Sequence, residues 1–382
     1  MKSDCCSVLI IHNVIAPYRL PLFDSLSDHV DLHVFFCEAS RSDREWEAEV
    51  DQYDFAYTVG RPYRIGPLRF NPELQALFRE NDFDVCIVGE NTSTAPASLF
   101  VALLSQTTDT KFVLWSEVRE PGSPYLELES PWRTALRRVI GIYRKVLYRF
   151  ADSFLALSTD AEQYLRSYGV TKDRIDTGPQ VMPVSLLPEC EAFGGNESFR
   201  ILYLGYLRER KGVHHLINAY RRIRARKDDV ELIIGGSGPY EERLKEVAEG
   251  VPDVQFVGYV PEERKACWYR SADLFVLPTL HDAWGLVVNE ALYYGVPVVT
   301  TDEAASRELV ERTDTGIIVP AGDPDALADT INSLISNPTR LRLLERQTET
   351  ASEAWQPETG IAPFLDSLSR YCSGVDSVSQ IE

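Results

Sequence analysis

Short apolar runs alternate with helical periodicity along almost the whole of this chain, in two series divided by a single break. In the first series, strand candidates are Val8–His12, Leu32–Cys37, Val85–Val88, Phe112–Ser116 and Phe154–Ser158. Helical patterns fall between them, at Tyr18–Ser27, Pro72–Glu80, Ala95–Gln106, Trp132–Phe150 and Ala161–Tyr168. Such alternation predicts parallel sheets covered by helices. Between Thr177 and Ser198 the rhythm is lost to Gly178-Pro179, Pro183, Pro188 and Gly194-Gly195, the signature of a linker. A second series then runs from Ile201–Leu204 through Glu231–Ile234, Gln255–Val257, Leu274–Leu277 and Val296–Thr300 to Val319. The fold class is therefore α/β, with two Rossmann-like lobes expected to face each other across a cleft. The expected boundaries are 1–178 for the first lobe, 179–198 for the linker and 199–356 for the second lobe. A helix over 357–372 is expected to pack back on the first lobe, ahead of a loose tail at 373–382.

The 382 residues carry 39 basic and 58 acidic side chains, a formal net charge of −19, and the basic residues are 31 Arg against 8 Lys. A balance this acidic argues against a general nucleic-acid binder, since phosphate backbones require positive surface. It suits a chain kept soluble by carboxylates in a high-salt cytoplasm. Met1–Cys6 lacks the long apolar run of a secretion signal, and no window holds 18 uninterrupted apolar residues. The seven cysteines form no Cys-x-x-Cys pair and stand at no zinc spacing. The expectation is reduced thiols in a cytoplasmic protein, with Cys37 and Cys86 as small buried hydrophobes.

The densest chemistry lies in Pro278–Val299, where Asp282 and Glu290 stand eight apart around a helix expected to start near Trp284. The amides of Gly285, Leu286 and Val287 would then open that helix, a natural seat for phosphate. Glu290, about two turns in, suits a vicinal diol, and Asp282 suits sugar hydroxyls. An isolated carboxylate pair would more often be a helix cap and a solvated face residue, but the surrounding apolar and glycine pattern weighs against that.

This segment resembles the signature of family-4 retaining glycosyltransferases, whose GT-B fold pairs two Rossmann-like lobes. Supporting stretches occur in order: Tyr203–Gly212, Ile233–Pro239, Val257–Val260, and Gly316–Pro320 followed by Asp323–Ala328. The resemblance implies Asp282, Glu290 and Lys211 as the candidate catalytic residues, Glu290 holding the nucleotide ribose and Lys211 the phosphates. It places Arg208, Gly236, Gly238, Gly258, Tyr259, Gly285, Leu286 and Val287 around the donor, and it implies no cofactor and no metal. Two departures stand out. Asp282 is one methylene shorter than the usual Glu, and Tyr206 occupies the place of a phosphate-binding Arg, which leaves Arg208 or Arg210 to supply that charge.

The first series says less. Asn13–Phe23 resembles a motif of a subset of these transferases, and Arg19 and Glu117 are the candidates for the acceptor or cleft side. His12, at a strand end, reads as a satisfied core histidine. Trp132–Phe150 carries six cations and no acid. At 100° per residue, Trp132, Leu136, Val139, Ile140, Tyr143, Val146, Leu147 and Phe150 share one face, opposite Arg133, Arg137, Arg138, Arg144, Lys145 and Arg149. Residues 131–150 are thus a candidate contact for an anionic membrane surface on the cytoplasmic side.

The leading expectation is transfer of a sugar from a nucleotide-diphosphate donor to an acceptor hydroxyl with retention, the acceptor a lipid-linked saccharide. A two-lobed sugar-binding protein without chemistry is the alternative. A metal-dependent single-lobe transferase is a third, but its Asp-x-Asp lookalikes, Asp82-Phe-Asp84 and Asp323-Pro-Asp325, stand where structural roles suffice.

Overall fold

Strands covered on both faces leave no room for unpaired charge, and Val85–Gly89 and Leu274–Leu277 are accordingly buried along their whole length. The computed structural model describes residues 5–40, 50–118, 131–180, 188–193, 198–351 and 357–377, with backbone alone at 131–137, 350 and 357–359. Most of the expected linker, and the tail beyond residue 377, lie outside the described residues. Those that are described form two units, one from residues up to 180 together with 357–377, the other from 188–351.

The first unit runs β1 (Ser7–Val14), α1 (Leu20–Ser27), β2 (Asp31–Glu38), β3 (Ala56–Val59), β4 (Tyr63–Ile65), β5 (Leu68–Phe70) and α2 (Glu73–Glu80). It continues through β6 (Val85–Gly89), α3 (Ala95–Leu104), β7 (Lys111–Ser116), α4 (Pro131–Phe150), β8 (Ser153–Ala156), α5 (Thr159–Ser167) and β9 (Ile175–Thr177). Its seven-stranded sheet has the order β3-β2-β1-β6-β7-β8-β9, with every neighbouring pair parallel. The second unit runs β10 (Phe199–Leu204), α6 (Val213–Arg224), β11 (Val230–Gly235), α7 (Glu241–Ala248), β12 (Val254–Gly258), α8 (Glu262–Arg270) and β13 (Leu274–Leu277). There follow α9 (Leu286–Tyr293), β14 (Val298–Thr301), α10 (Arg307–Thr313), β15 (Gly316–Val319), α11 (Pro324–Ile335) and α12 (Pro338–Thr350). Its parallel sheet is ordered β12-β11-β10-β13-β14-β15, the doubly wound arrangement. Asp323 caps α11 through the amides of Asp325 and Ala326, so this Asp-x-Asp lookalike has a structural role.

The chain's last described helix, α13 (Pro357–Ser369), belongs to the first unit. Its Ile361, Phe364, Leu365 and Leu368 join α1 and the strands in the core on one sheet face. Helices α2 to α5 contribute to the core on the other. Four cysteines are paired, Cys6 with Cys372 and Cys190 with Cys267, which corrects the expectation of reduced thiols. Spacing hid both bonds because the fold sets them: α13 returns beside the start of β1, and the partner Cα atoms stand 5.4 and 5.1 Å apart. Cys37 and Cys86 are free and buried.

Helix α4 also departs from its expected division into faces. The side chains of Trp132, Arg133, Leu136 and Arg137 lie outside the described residues. Further along, Leu147 and Tyr148 are buried, whereas Val139, Ile142 and Val146 are exposed. Arg144 belongs inside. Its Nε donates to Glu90 at 2.7 Å and its Nη1 to the Tyr164 hydroxyl at 2.7 Å. Glu90, at the end of β6, also accepts from Ser116 at 2.6 Å and Tyr148 at 2.9 Å. A carboxylate in so dry a place needs a counter-charge, and Arg144 supplies it. Replacing Arg144 with Met should cost about 3–5 kcal/mol in urea unfolding, and Glu90→Gln in the same chain should restore part of the loss.

Candidate functional site

In the second sheet the strand order reverses between β10 and β13, the position at which doubly wound sheets bind their ligands. Residues 205–212 leave β10 and residues 278–285 leave β13. The two loops are stitched together: the Leu280 amide donates to the Arg210 carbonyl at 2.8 Å, and Arg210 Nη1 donates to the His281 carbonyl at 2.8 Å. The second loop is tied as firmly to the segment after β14, through Asp282 N to Glu303 O at 3.0 Å and Ala305 N to Asp282 O at 3.2 Å.

Asp282 is thereby fixed and 7% exposed, with Lys211 Nζ on its Oδ2 and Arg210 3.5 Å from its Oδ1. Burial works against its charge, but Lys211 and Arg210 outweigh that and hold the carboxyl below the usual Asp range. Arg208 is exposed and stacks on Tyr206, its guanidinium 4.9 Å from the ring centroid. Of the two arginines weighed for the missing charge, Arg210 is the one the structure brings to Asp282 and Lys211.

Gly285, at φ +103°, is the N-cap of α9, with no side-chain cap and no acid in the first helical turn. The helix therefore opens with the backbone amides of Leu286 and Val287 at a partly exposed end. Gly236 and Gly238, expected to make room for a nucleotide, make room for a neighbouring loop. A Cβ on the first would meet the Gly205 carbonyl at 1.9 Å, and on the second the Leu207 carbonyl at 2.4 Å. Gly258 ends β12 and accepts from the Gly236 amide at 2.7 Å, while Tyr259 beyond it is exposed.

Glu290 lies on the second turn of α9 and is 4% exposed. Its carboxylate turns toward α8, taking the Tyr269 hydroxyl at 2.7 Å and Lys265 Nζ at 3.1 Å. Asp282 and Glu290 thus have different cationic neighbours, one on each side of the start of α9. Lys265 and Tyr269 were not foreseen, although their spacing of four on one helix puts both on the same face.

In the first unit the structure joins the two acceptor-side candidates. Arg19, just after β1, is 3% exposed and ion-paired with Glu117, just after β7. Its guanidinium also lies 4.5 Å from the Trp115 ring centroid. His12 is a core histidine, as read from sequence. Its Nδ1 is 2.9 Å from the Val14 carbonyl, and burial, with help from Arg19, lowers its pKa to about 4.

Residues 198–337 match the family described as glycosyl transferases group 1, and residues 15–179 match the glycosyl transferase 4-like domain. The chain belongs to the group 1 glycosyltransferases. The phosphatidyl-myo-inositol mannosyltransferase of Mycobacterium leprae is 28% identical over 326 residues, 80% of each chain. A GDP-mannose-dependent alpha-(1-6)-phosphatidylinositol monomannoside mannosyltransferase of Mycolicibacterium smegmatis is 29% identical over 314 residues, 78% of this chain and 79% of the relative. Among solved structures, HepE of Anabaena in complex with UDP superposes with a TM-score of 0.72 at 16% identity, covering 95% of this chain and all of the other. The fold is GT-B, and the protein is a glycosyltransferase.

In this glycosyltransferase the depressed Asp282 carboxyl contributes stability above the unfolded value, about pH 4, and loses it as pH falls through the lowered folded value. Asp282→Asn should therefore be clearly less stable than wild type at about pH 6, with the gap narrowing as pH falls below the unfolded value of about 4 in urea titrations.

Proposed function

We propose that this glycosyltransferase takes a nucleotide-diphosphate sugar as donor and passes the sugar to an acceptor hydroxyl with retention of anomeric configuration. The carrying observation is the convergence of Lys211 and Arg210 on the loop before α9, a helix whose N-cap is the left-handed Gly285. Arg210, Lys211 and Asp282 together sum to one positive charge, and the opening of a helix adds partial positive charge at the same place. A diphosphate leaving group gains charge as the glycosidic bond breaks, so fixed cations and amides there favour the transition state over the ground state. Asp282 then accepts from sugar hydroxyls and Glu290 from the ribose diol. Retention follows from acceptor attack on the donor face that the diphosphate leaves. The leaving diphosphate itself takes up the acceptor proton, and the protein supplies orientation rather than a strong base. No metal or cofactor has a part in this reading.

The acceptor we propose is a lipid-linked saccharide at the inner face of the cell membrane, in the assembly of a lipid-linked or cell-surface glycan. Two relatives named for transfer to phosphatidylinositol lipids support this. So does α4, where Val139, Ile142 and Val146 are 60%, 64% and 45% exposed and stand among exposed Arg138, Lys145 and Arg149. Apolar side chains flanked by cations suit the boundary between anionic headgroups and acyl chains. The β4–β5 hairpin of the same unit adds exposed Tyr63 and Ile65. Among the described residues, no helix is long and apolar enough to cross a membrane.

A thermal-shift screen of nucleotide sugars should raise the melting temperature with one donor. With that donor, Glu290→Gln should lower kcat/KM about 100-fold, alongside a fall in the melting temperature of the free enzyme from the loss of one carboxylate beside Lys265. Unchanged kinetics would refute the role given to Glu290. Changing Arg138, Lys145 and Arg149 together to Glu should release the enzyme from phosphatidylglycerol vesicles, since each cation contributes about 1 kcal/mol at an anionic surface. Retention equal to wild type would remove α4 from the docking surface.

A further inference from the structure

Among the described residues, Glu290 takes its side-chain partners from α8, a helix outside the signature segment. Its two oxygens are divided between two residues of α8, Oε1 facing Lys265 Nζ at 3.1 Å and Oε2 accepting from the Tyr269 hydroxyl at 2.7 Å. Lys265 is itself held from the other side by Glu262, 2.7 Å away and one helical turn earlier. Tyr269 is fully buried, packed against Phe275 and stacked on Tyr294 at 5.5 Å, so its hydroxyl has little freedom to move. Burial, then the charge of Glu290, pushes the Tyr269 hydroxyl well above the ordinary range, so it keeps its proton and donates. Burial works against the Lys265 ammonium, but Glu290 and Glu262 outweigh it and lift Lys265 above the usual lysine range.

Neither group is required by the helix. Lys265 lies on α8 with its side chain 20% exposed, and any long apolar residue would cover the same surface. An ionised carboxylate offers about four acceptor positions, of which the two contacts use one on each oxygen. The remaining positions on a carboxylate clamped at both ends point in fixed directions, which is what two adjacent hydroxyls of a five-membered sugar ring require.

We propose that Lys265 and Tyr269 are positioning residues of the donor site, clamping Glu290 so that its remaining lone pairs meet the vicinal diol of the nucleotide ribose. The clamp rests on the reading that Glu290 takes the ribose. Lys265 supplies a counter-charge to the buried Glu290, Tyr269 fixes its rotation, and Glu262 keeps Lys265 from swinging away.

The test measures binding of UDP and GDP, and of their 2′,3′-dideoxy counterparts, to wild type, Glu290→Gln, Tyr269→Phe, Lys265→Met and Lys265→Arg by titration calorimetry. Wild type should lose about tenfold or more in affinity when the diol is removed from whichever nucleotide it binds better. Tyr269→Phe and Lys265→Met should weaken the ribose form by a similar factor, leave the dideoxy form within about twofold, and so erase the preference for the diol. Lys265→Arg should restore most of it, since an arginine keeps the charge and the donor. Equal weakening of ribose and dideoxy forms in both variants would show mere structural damage and overturn the proposal, as would an undiminished diol preference. If Glu290→Gln itself keeps the diol preference, or wild type binds neither nucleotide, the donor reading beneath the proposal falls with it. A diol preference lost in Glu290→Gln but intact in Tyr269→Phe and Lys265→Met overturns the clamp alone.

Discussion

Where the second sheet reverses its strand order, β10 and β13 lie side by side, and the candidate donor chemistry is built on the fork of their outgoing loops. A fork of bare backbone would leave amides and carbonyls unpaired beside it. Here Arg210 closes it twice, accepting from the Leu280 amide and donating to the His281 carbonyl. Lys211, the next residue, is thereby placed against Asp282. The side chains proposed to meet the diphosphate are thus held by backbone bonds made for structural reasons. Such preorganisation costs nothing further at the moment of reaction.

The first unit reaches a comparable result with different means. Arg19 is gripped between the ring of Trp115 and the carboxylate of Glu117, and Trp115 is braced edge-on by Phe364 of α13 at 5.0 Å. A residue near the end of the chain therefore supports one near its beginning. The Glu90 network on the opposite face of the same sheet does for α4 what this stack does for Arg19: it fixes one end of a long cation and leaves the neighbouring surface free to vary.

Much of this was legible from residues alone, for identifiable reasons. Leu274–Leu277 is apolar, bounded by polar turns and central, so its limits coincide in sequence and structure. Ala56–Val59 and Ile175–Thr177 were not foreseen as strands, because edge strands this short carry little alternation. Asp282, Lys211 and Glu290 stood out because their spacing belongs to a long, ordered pattern. Lys265 did not, since its partner is 25 residues away and only the packing of α8 on α9 unites them. Arg144 was placed on the polar face of its helix by charge, whereas Glu90, 54 residues earlier, draws it inward. Periodicity reports which face is apolar; it is silent on a cation whose counter-charge lies on another element. The two disulfides, spanning 366 and 77 residues, were hidden for the same reason.

The return of α13 carries a consequence for how the chain is made. During vectorial synthesis the ribosome releases residues 188–351, the whole described second unit, before residues 357–377 emerge. The first unit begins earlier yet lacks Ile361, Phe364, Leu365 and Leu368 until the second unit has been made. The usual amino-terminal-first order is thereby inverted. The later-encoded half is complete first, and the earlier half waits with Trp115 and the start of β1 uncovered until α13 arrives and Cys372 meets Cys6.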